Sequence, residues 1–143
     1  KSNELNPVVE FESSGNYNVI LKAVSATGCV DSSISTINVY PKMTIYIPNA
    51  FTPNNDGFND YFEVNVNSIS FYEIHVYNRW GEKIFYSSNE LNTWDGSDFN
   101  GSLVPNGVYL YHINIIDQNG KDWAYNGEIN LLRWLIIKLA DLI

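Results

Sequence analysis

The sequence predicts an all-β protein: an antiparallel, immunoglobulin-like β-sandwich preceded by a partial β-domain of about three strands. Three observations carry that prediction. Aromatic residues make up 15% of the chain and Tyr alone contributes 10, and aromatic and β-branched side chains suit the pleated, half-buried surface of a sheet. Apolar residues recur with period two in several short runs, without a helical period. Turn chemistry separates those runs: Asn55-Asp56-Gly57, Trp80-Gly81, Asp95-Gly96, Asn100-Gly101, Pro105-Asn106-Gly107 and Asn119-Gly120. Gly and Asn accept the positive φ that tight hairpin turns require.

The elements follow in order. Residues 8–12 (VVEFE), 17–25 (YNVILKAVS) and 32–40 (SSISTINVY) read as three short strands, with turns at Gly15-Asn16 and Thr27-Gly28. Three strands are too few to close a sandwich, so residues 1–42 read as the back end of a β-domain. Pro41 and Lys42 mark its boundary. A second set of strands is expected at 44–48, 60–66, 71–79, 83–88, 108–117 and 122–132, making residues 43–133 the sandwich. In FYEIHVYN, alternation puts Tyr72, Ile74 and Val76 on one face and Phe71, Glu73, His75 and Tyr77 on the other. The charged face is assigned to solvent. In VYLYHINIID, Tyr109, Tyr111, Ile113 and Ile115 are assigned to the core. Residues 134–143 (WLIIKLADLI) break the pattern, and this apolar tail reads as an appendage to the domain.

Composition excludes several functions. The formal net charge is −8, from 8 Lys and Arg against 16 Asp and Glu. Such a chain repels nucleic acid and anionic membrane surfaces. No apolar run reaches the roughly 20 residues that cross a bilayer as a helix. The chain opens mid-pattern with KSNELNPVVEF and no signal peptide, and reads as part of a longer protein. Its one cysteine, Cys29, cannot form an internal disulfide, and no base adjoins it in sequence to make it a nucleophile.

Catalytic constellations are scarce: no GxSxG, GxGxxG, Walker sequence or HExxH occurs. His75 and His112 lie on expected strands without a clear third ligand, so they read as surface or edge histidines rather than a metal pair. Glu63 and Glu73 could be paired as a glycosidase acid and base only in the sense that any two carboxylates can. The stretch NAFTPNNDGFNDYF, residues 49–62, is the best metal candidate. With Gly57 at the sixth position of an EF-type loop, Thr52, Asn54, Asp56, Asp60 and Glu63 fall at positions one, three, five, nine and twelve. Oxygens at that spacing suit calcium. Against it, Thr stands where Asp is usual, Pro53 stiffens the loop and no helix flanks it. A tight turn is preferred, with Pro53 fixing φ and the Asn and Asp side chains bonding to nearby backbone. Trp94 reads as a plug for the sandwich end, with Asp95 bonding to turn amides. Trp80, at a hairpin tip, is either folded over an edge or displayed to a partner.

Four segments occur here in one order: IPNAFTPNNDGFNDYF, IHVYNRWGEKIF, TWDGSDFNGSLVPNGVYLY and YNGEINLLR. Together, over residues 45–133, they resemble the gliding motility-associated C-terminal domain, the type B C-terminal domain of type IX secretion substrates. The preceding GNYNVILKAVSATGCVDSSISTINVYP is similar to the closing strands of PKD-type, Ig-like repeats, which often precede this domain in surface adhesins. The resemblance implies a targeting domain without catalysis or cofactor. It would direct a large cell-surface adhesin, active in gliding or attachment, from the periplasm across the outer membrane. Its partners would be the type IX machinery, including an outer-membrane β-barrel shuttle protein. The family pattern normally ends near Leu131, Leu132 and Arg133, so the 134–143 tail departs from it. Gly127, Leu131, Leu132 and Arg133 on the final strand, together with Trp80, are the candidate recognition residues, because a terminal edge strand offers backbone groups to a partner. The alternative is a calcium-dependent or carbohydrate-binding sandwich of an adhesin, using Trp80, Trp94 and several Tyr.

Overall fold

The computed structural model describes residues 2–133; the apolar tail at 134–143 lies outside the described residues. The chain divides into two compact units between Lys42 and Met43.

The first unit is a hairpin of β1 (Gly15–Val24) and β2 (Val30–Val39). It pairs without a break from Gly15↔Val39 to Val24↔Val30. Gly28 turns the chain at φ 85°, and its N–H donates to Ser25 O at 3.0 Å. The strand expected at 8–12 does not form. A strand needs a neighbour to receive its backbone groups, and among the described residues β1 and β2 pair only with each other. Phe11 from that segment instead packs at a tilt against Tyr17, with ring centroids 4.4 Å apart. Apolar side chains stand exposed on both faces of the hairpin, Ile20 and Ile34 on one and Val19 and Leu21 on the other. A lone pair of strands buries little and is at best marginally stable.

The second unit holds β3 (Thr44–Tyr46), β4 (Ala50–Phe51), β5 (Asn65–Asn67), β6 (Ile69–Tyr77), β7 (Lys83–Ser87), β8 (Gly107–Asp117) and β9 (Asp122–Leu131). It is a two-layer sandwich. A five-stranded sheet in the order β4-β9-β8-β6-β7 faces a small β3-β5 sheet. All neighbours are antiparallel except β4 and β9, which run parallel through Ala50↔Asn130 and Phe51↔Leu131. The core lies on one face of the large sheet. Tyr72, Ile74 and Val76 of β6 are buried there, with Tyr109, Ile113 and Ile115 of β8 and Ile129 and Leu131 of β9. The β6 and β8 residues are the inward positions that alternation assigned, save that Tyr111 is half-buried. Ile45 of β3 and Val66 of β5 pack against them from the other layer. Each fully buried aliphatic or aromatic side chain contributes roughly 1.5–3 kcal/mol relative to exposure.

Loops complete the lid of the core with Phe62, Val64, Trp94 and Val104. The strand expected from residue 60 begins only at Asn65. Phe62 instead forms a single bridge with Trp94: each backbone N–H donates to the other's carbonyl, at 2.8 and 3.1 Å. At the opposite hairpin, Asp117 caps the β8–β9 turn, accepting from Asn119 N at 2.9 Å, Lys121 N at 3.0 Å and Trp123 Nε1 at 3.0 Å. The Trp123 and Lys121 bonds hold its carboxyl below the usual range.

Candidate functional site

The loop at residues 52–60 is folded around its own carboxylates. Asp60 Oδ1 accepts from the N–H groups of Asn54 at 3.0 Å and Asn55 at 2.6 Å, and Oδ2 from Gly57 N at 2.8 Å. Asp56 Oδ1 accepts from Phe58 N at 2.8 Å, while Asn54 Oδ1 accepts from Asp56 N at 3.1 Å. Asn55 and Asn59 sit at φ 61° and 52°, conformations that Asn tolerates better than most side chains. Partial desolvation pushes the Asp60 carboxyl up, but the bonds from Gly57, Asn55, Asn54 and Asp56 outweigh it, leaving the carboxyl below its usual range. Asn54 Oδ1, Asp56 Oδ1 and both Asp60 oxygens, which the calcium reading would use, are therefore turned to backbone donors. Glu63 is exposed and lines a cleft with Asp60, Tyr46 and Asn65. Among the described residues no three His, Cys, Asp or Glu side chains converge as a metal site.

Glu73 lines a different cleft, with Asn114 and Trp123, so Glu63 and Glu73 are not a facing pair. On the outer face of the large sheet, His75 and His112 are direct cross-strand partners, with ring centroids 6.3 Å apart. Their neighbours are polar or aromatic. His112 Nδ1 meets Asn126 Oδ1 at 2.5 Å, His75 Nε2 lies 3.7 Å from Glu73 Oε2, and Asn114 Nδ2 donates to Glu73 Oε1 at 2.7 Å. The Asn114 bond holds the Glu73 carboxyl below the usual range against partial desolvation, with His75 and His112 adding to the depression.

The two tryptophans singled out in sequence have opposite fates. Trp94 is 1% exposed, packs between Phe51 and Tyr109, and donates from Nε1 to Ser97 O at 2.8 Å. Asp95 Oδ1 caps the same turn by accepting from Ser97 N at 2.9 Å. Trp80 is 79% exposed at the tip of the β6–β7 hairpin. Asn78 Oδ1 braces that tip by accepting from the N–H groups of Trp80 and Glu82, both at 3.0 Å. The Arg79 guanidinium lies over the Trp80 ring at 5.1 Å. Arg79, Trp80, Lys83, Phe99, Pro105 and Asn106 border a groove of about 280 Å³.

The final strand is fastened rather than loose. Leu131 is fully buried, and Gly127 lies beneath the Tyr111 ring. Arg133 reaches the far loop: Nη2 donates to Gly96 O at 2.8 Å and Nη1 to Val104 O. Its main chain exchanges two bonds with Asn106, Arg133 N to Asn106 Oδ1 at 2.9 Å and Asn106 Nδ2 to Arg133 O at 3.1 Å. In the folded domain Gly127, Leu131 and Arg133 hold the structure together. Leu132, 44% exposed, and Trp80 are the two candidate recognition side chains open to solvent. Asn106 and Gly96 were not singled out from sequence, and the only signal for them was turn chemistry.

The geometry is that of a filled two-layer β-sandwich whose Asp60, Asp95 and Asp117 cap its own turns and whose Trp80 stands at a hairpin tip. The family model described as the CHU_C type IX secretion signal domain matches residues 45–131, from β3 to the last residue of β9, and the chain belongs to this family. The domain is thus a type IX secretion signal, a targeting module for export across the outer membrane. The chain is also similar to the solved structure of dimeric latent PorU from Porphyromonas gingivalis, at 15% identity and a TM-score of 0.41. That similarity covers 85% of this chain but 13% of the other. No curated protein matches the sequence.

Proposed function

We propose that the sandwich is the C-terminal address of a large cell-surface adhesin used in gliding or attachment. The cargo reaches the periplasm and is then passed outward by the type IX machinery, with an outer-membrane β-barrel shuttle protein as the receiving partner. The observation that carries this reading is the family match over the whole sandwich, β3 to β9. The exposed apolar residues on both faces of the β1–β2 hairpin support a second part of the reading. They suit the last strands of a PKD-type, Ig-like repeat whose other strands would cover those faces. Residues 134–143 would then be an appendage outside the targeting domain.

The test is a fusion of residues 43–133 to a periplasmic reporter. Surface display is expected in a strain with the secretion machinery, and periplasmic retention in a strain lacking it. Retention in both strains would refute the reading. Deleting residues 127–133 is a poor probe of recognition, because it removes the buried Ile129 and Leu131. Leu132→Glu and Trp80→Ala change exposed side chains and separate recognition from folding.

A further inference from the structure

Strand β9 has β8 on one side along its whole length, but on its other side β4 pairs with Asn130 and Leu131 alone. Asn130 N donates to Asn49 O at 2.9 Å, away from β8. In an antiparallel pair the outward-pointing backbone groups recur at every second residue. The β8–β9 register runs without a bulge from Gly107↔Leu131 to Ile116↔Asp122. Asp122, Ala124, Asn126 and Glu128 therefore aim both N–H and C=O at the open side, and among the described residues no strand pairs with them there.

Soluble proteins usually blunt such an edge with Pro, a bulge, Lys or a covering element. The segment Asp122–Ile129 contains no Pro, Lys or bulge. It carries an exposed acid near each end on the outer face, Asp122 and Glu128, with Ala124 and Asn126 between them. On the inner face Trp123 and Tyr125 are half-buried against the core. Those acids disfavour a second copy of the same strand. Antiparallel self-pairing over the full segment sets Asp122 opposite Glu128 at both ends, and like charges directly opposite are destabilising.

We infer that this edge accepts an added β-strand from a partner protein. The strand that fits is amphipathic: basic residues six positions apart face Asp122 and Glu128, and apolar residues at alternate positions cover Trp123 and Tyr125. The assignment of that partner to the secretion machinery rests on the proposed function; strand addition itself does not.

The experiment follows the backbone amide resonances of the full chain during titration with two synthetic eight-residue peptides. Both alternate valine with polar residues; one carries lysine at its first and seventh positions, the other glutamate. The lysine peptide should shift the amides of Asp122, Ala124, Asn126 and Glu128 and slow their exchange with solvent, binding roughly tenfold more tightly than the glutamate peptide. Ala124→Pro removes one outward donor at an edge position, where Pro is tolerated, and should abolish binding with the melting temperature unchanged. Asp122→Lys with Glu128→Lys should reverse the peptide preference, which tests the idea even where the proline variant does not fold. No shift at these amides with either peptide, or dimerisation through β9, would overturn the inference. In cells, the doubly charge-reversed reporter fusion should remain in the periplasm. Normal surface delivery of that variant after it has lost the lysine peptide would refute the assignment to the machinery while leaving the secretion signal intact.

Discussion

Gly127 and Tyr111 are cross-strand partners, and the tyrosine ring occupies the space that a side chain at residue 127 would need. A Cβ placed there would come within 2.5 Å of the Tyr111 hydroxyl oxygen and 2.7 Å of Cζ. The ring lies in turn 6.1 Å from that of Phe62, so swinging it aside disturbs the core's edge. Gly127→Ala is expected to cost about 1–3 kcal/mol by overpacking. Urea unfolding measures it, and in the Tyr111→Ala background the penalty should shrink.

Arg133 ties the end of the sandwich to the loop between β7 and β8 through the carbonyls of Gly96 and Val104. Hydrogen bonds from a charged donor contribute roughly 1.5–3 kcal/mol. Arg133→Met should destabilise by that order and speed amide exchange across residues 96–106. Arg133→Lys should not restore stability, because one ammonium lacks the planar fork that reaches both carbonyls.

Asp60 gives the fold an acid-sensitive turn. Its carboxyl titrates below the ordinary value of 3.8, and so does that of Asp117. A carboxylate with a depressed folded-state pKa contributes stability above its unfolded pKa. That contribution is lost as the pH falls through the folded value. Thermal stability should therefore decline below about pH 4, and Asp60→Asn should be less stable at neutral pH with a flatter acid limb. Calcium should leave the melting temperature unchanged, since Asp60 and Asp56 already accept from backbone donors. A marked rise with calcium would revive the cation-loop alternative.

Trp94 and Trp80 should differ in every bulk assay. Trp94→Ala empties a fully buried site and is expected to cost about 3–5 kcal/mol. Trp80→Ala, at an exposed tip, should fall within about 0.5 kcal/mol of wild type. Acrylamide should quench the fluorescence of Trp80 and spare that of Trp94.

The sandwich was legible wherever a strand was long enough to show its period. Tyr72, Ile74 and Val76 alternate with Glu73 and His75, and Ile113 and Ile115 flank Asn114; all five apolar residues are buried. β4 was not legible. Its two residues, Ala50 and Phe51, have no period of their own and become a strand only through Asn130 and Leu131. Residues 8–12 erred the other way, having strand composition but no partner among the described residues. Arg133 reads in sequence as a recognition residue of the final strand, and its anchoring role was not legible because its acceptors are backbone carbonyls, which every residue offers. Trp94 was easier, since its turn-rich setting and Asp95 already implied a capped plug. The open side of β9 follows from pairing alone, and no residue in it announces that β4 is short.

Among the described strands the last in chain order, β9, sits inside the large sheet, between β4 and β8, rather than at its margin. The sheet cannot be assembled in this order until synthesis has passed Leu131. A polypeptide cut short by premature termination before Leu131 would lack the strand that joins β4 to β8, so a well-packed module would certify that translation had run through everything before it.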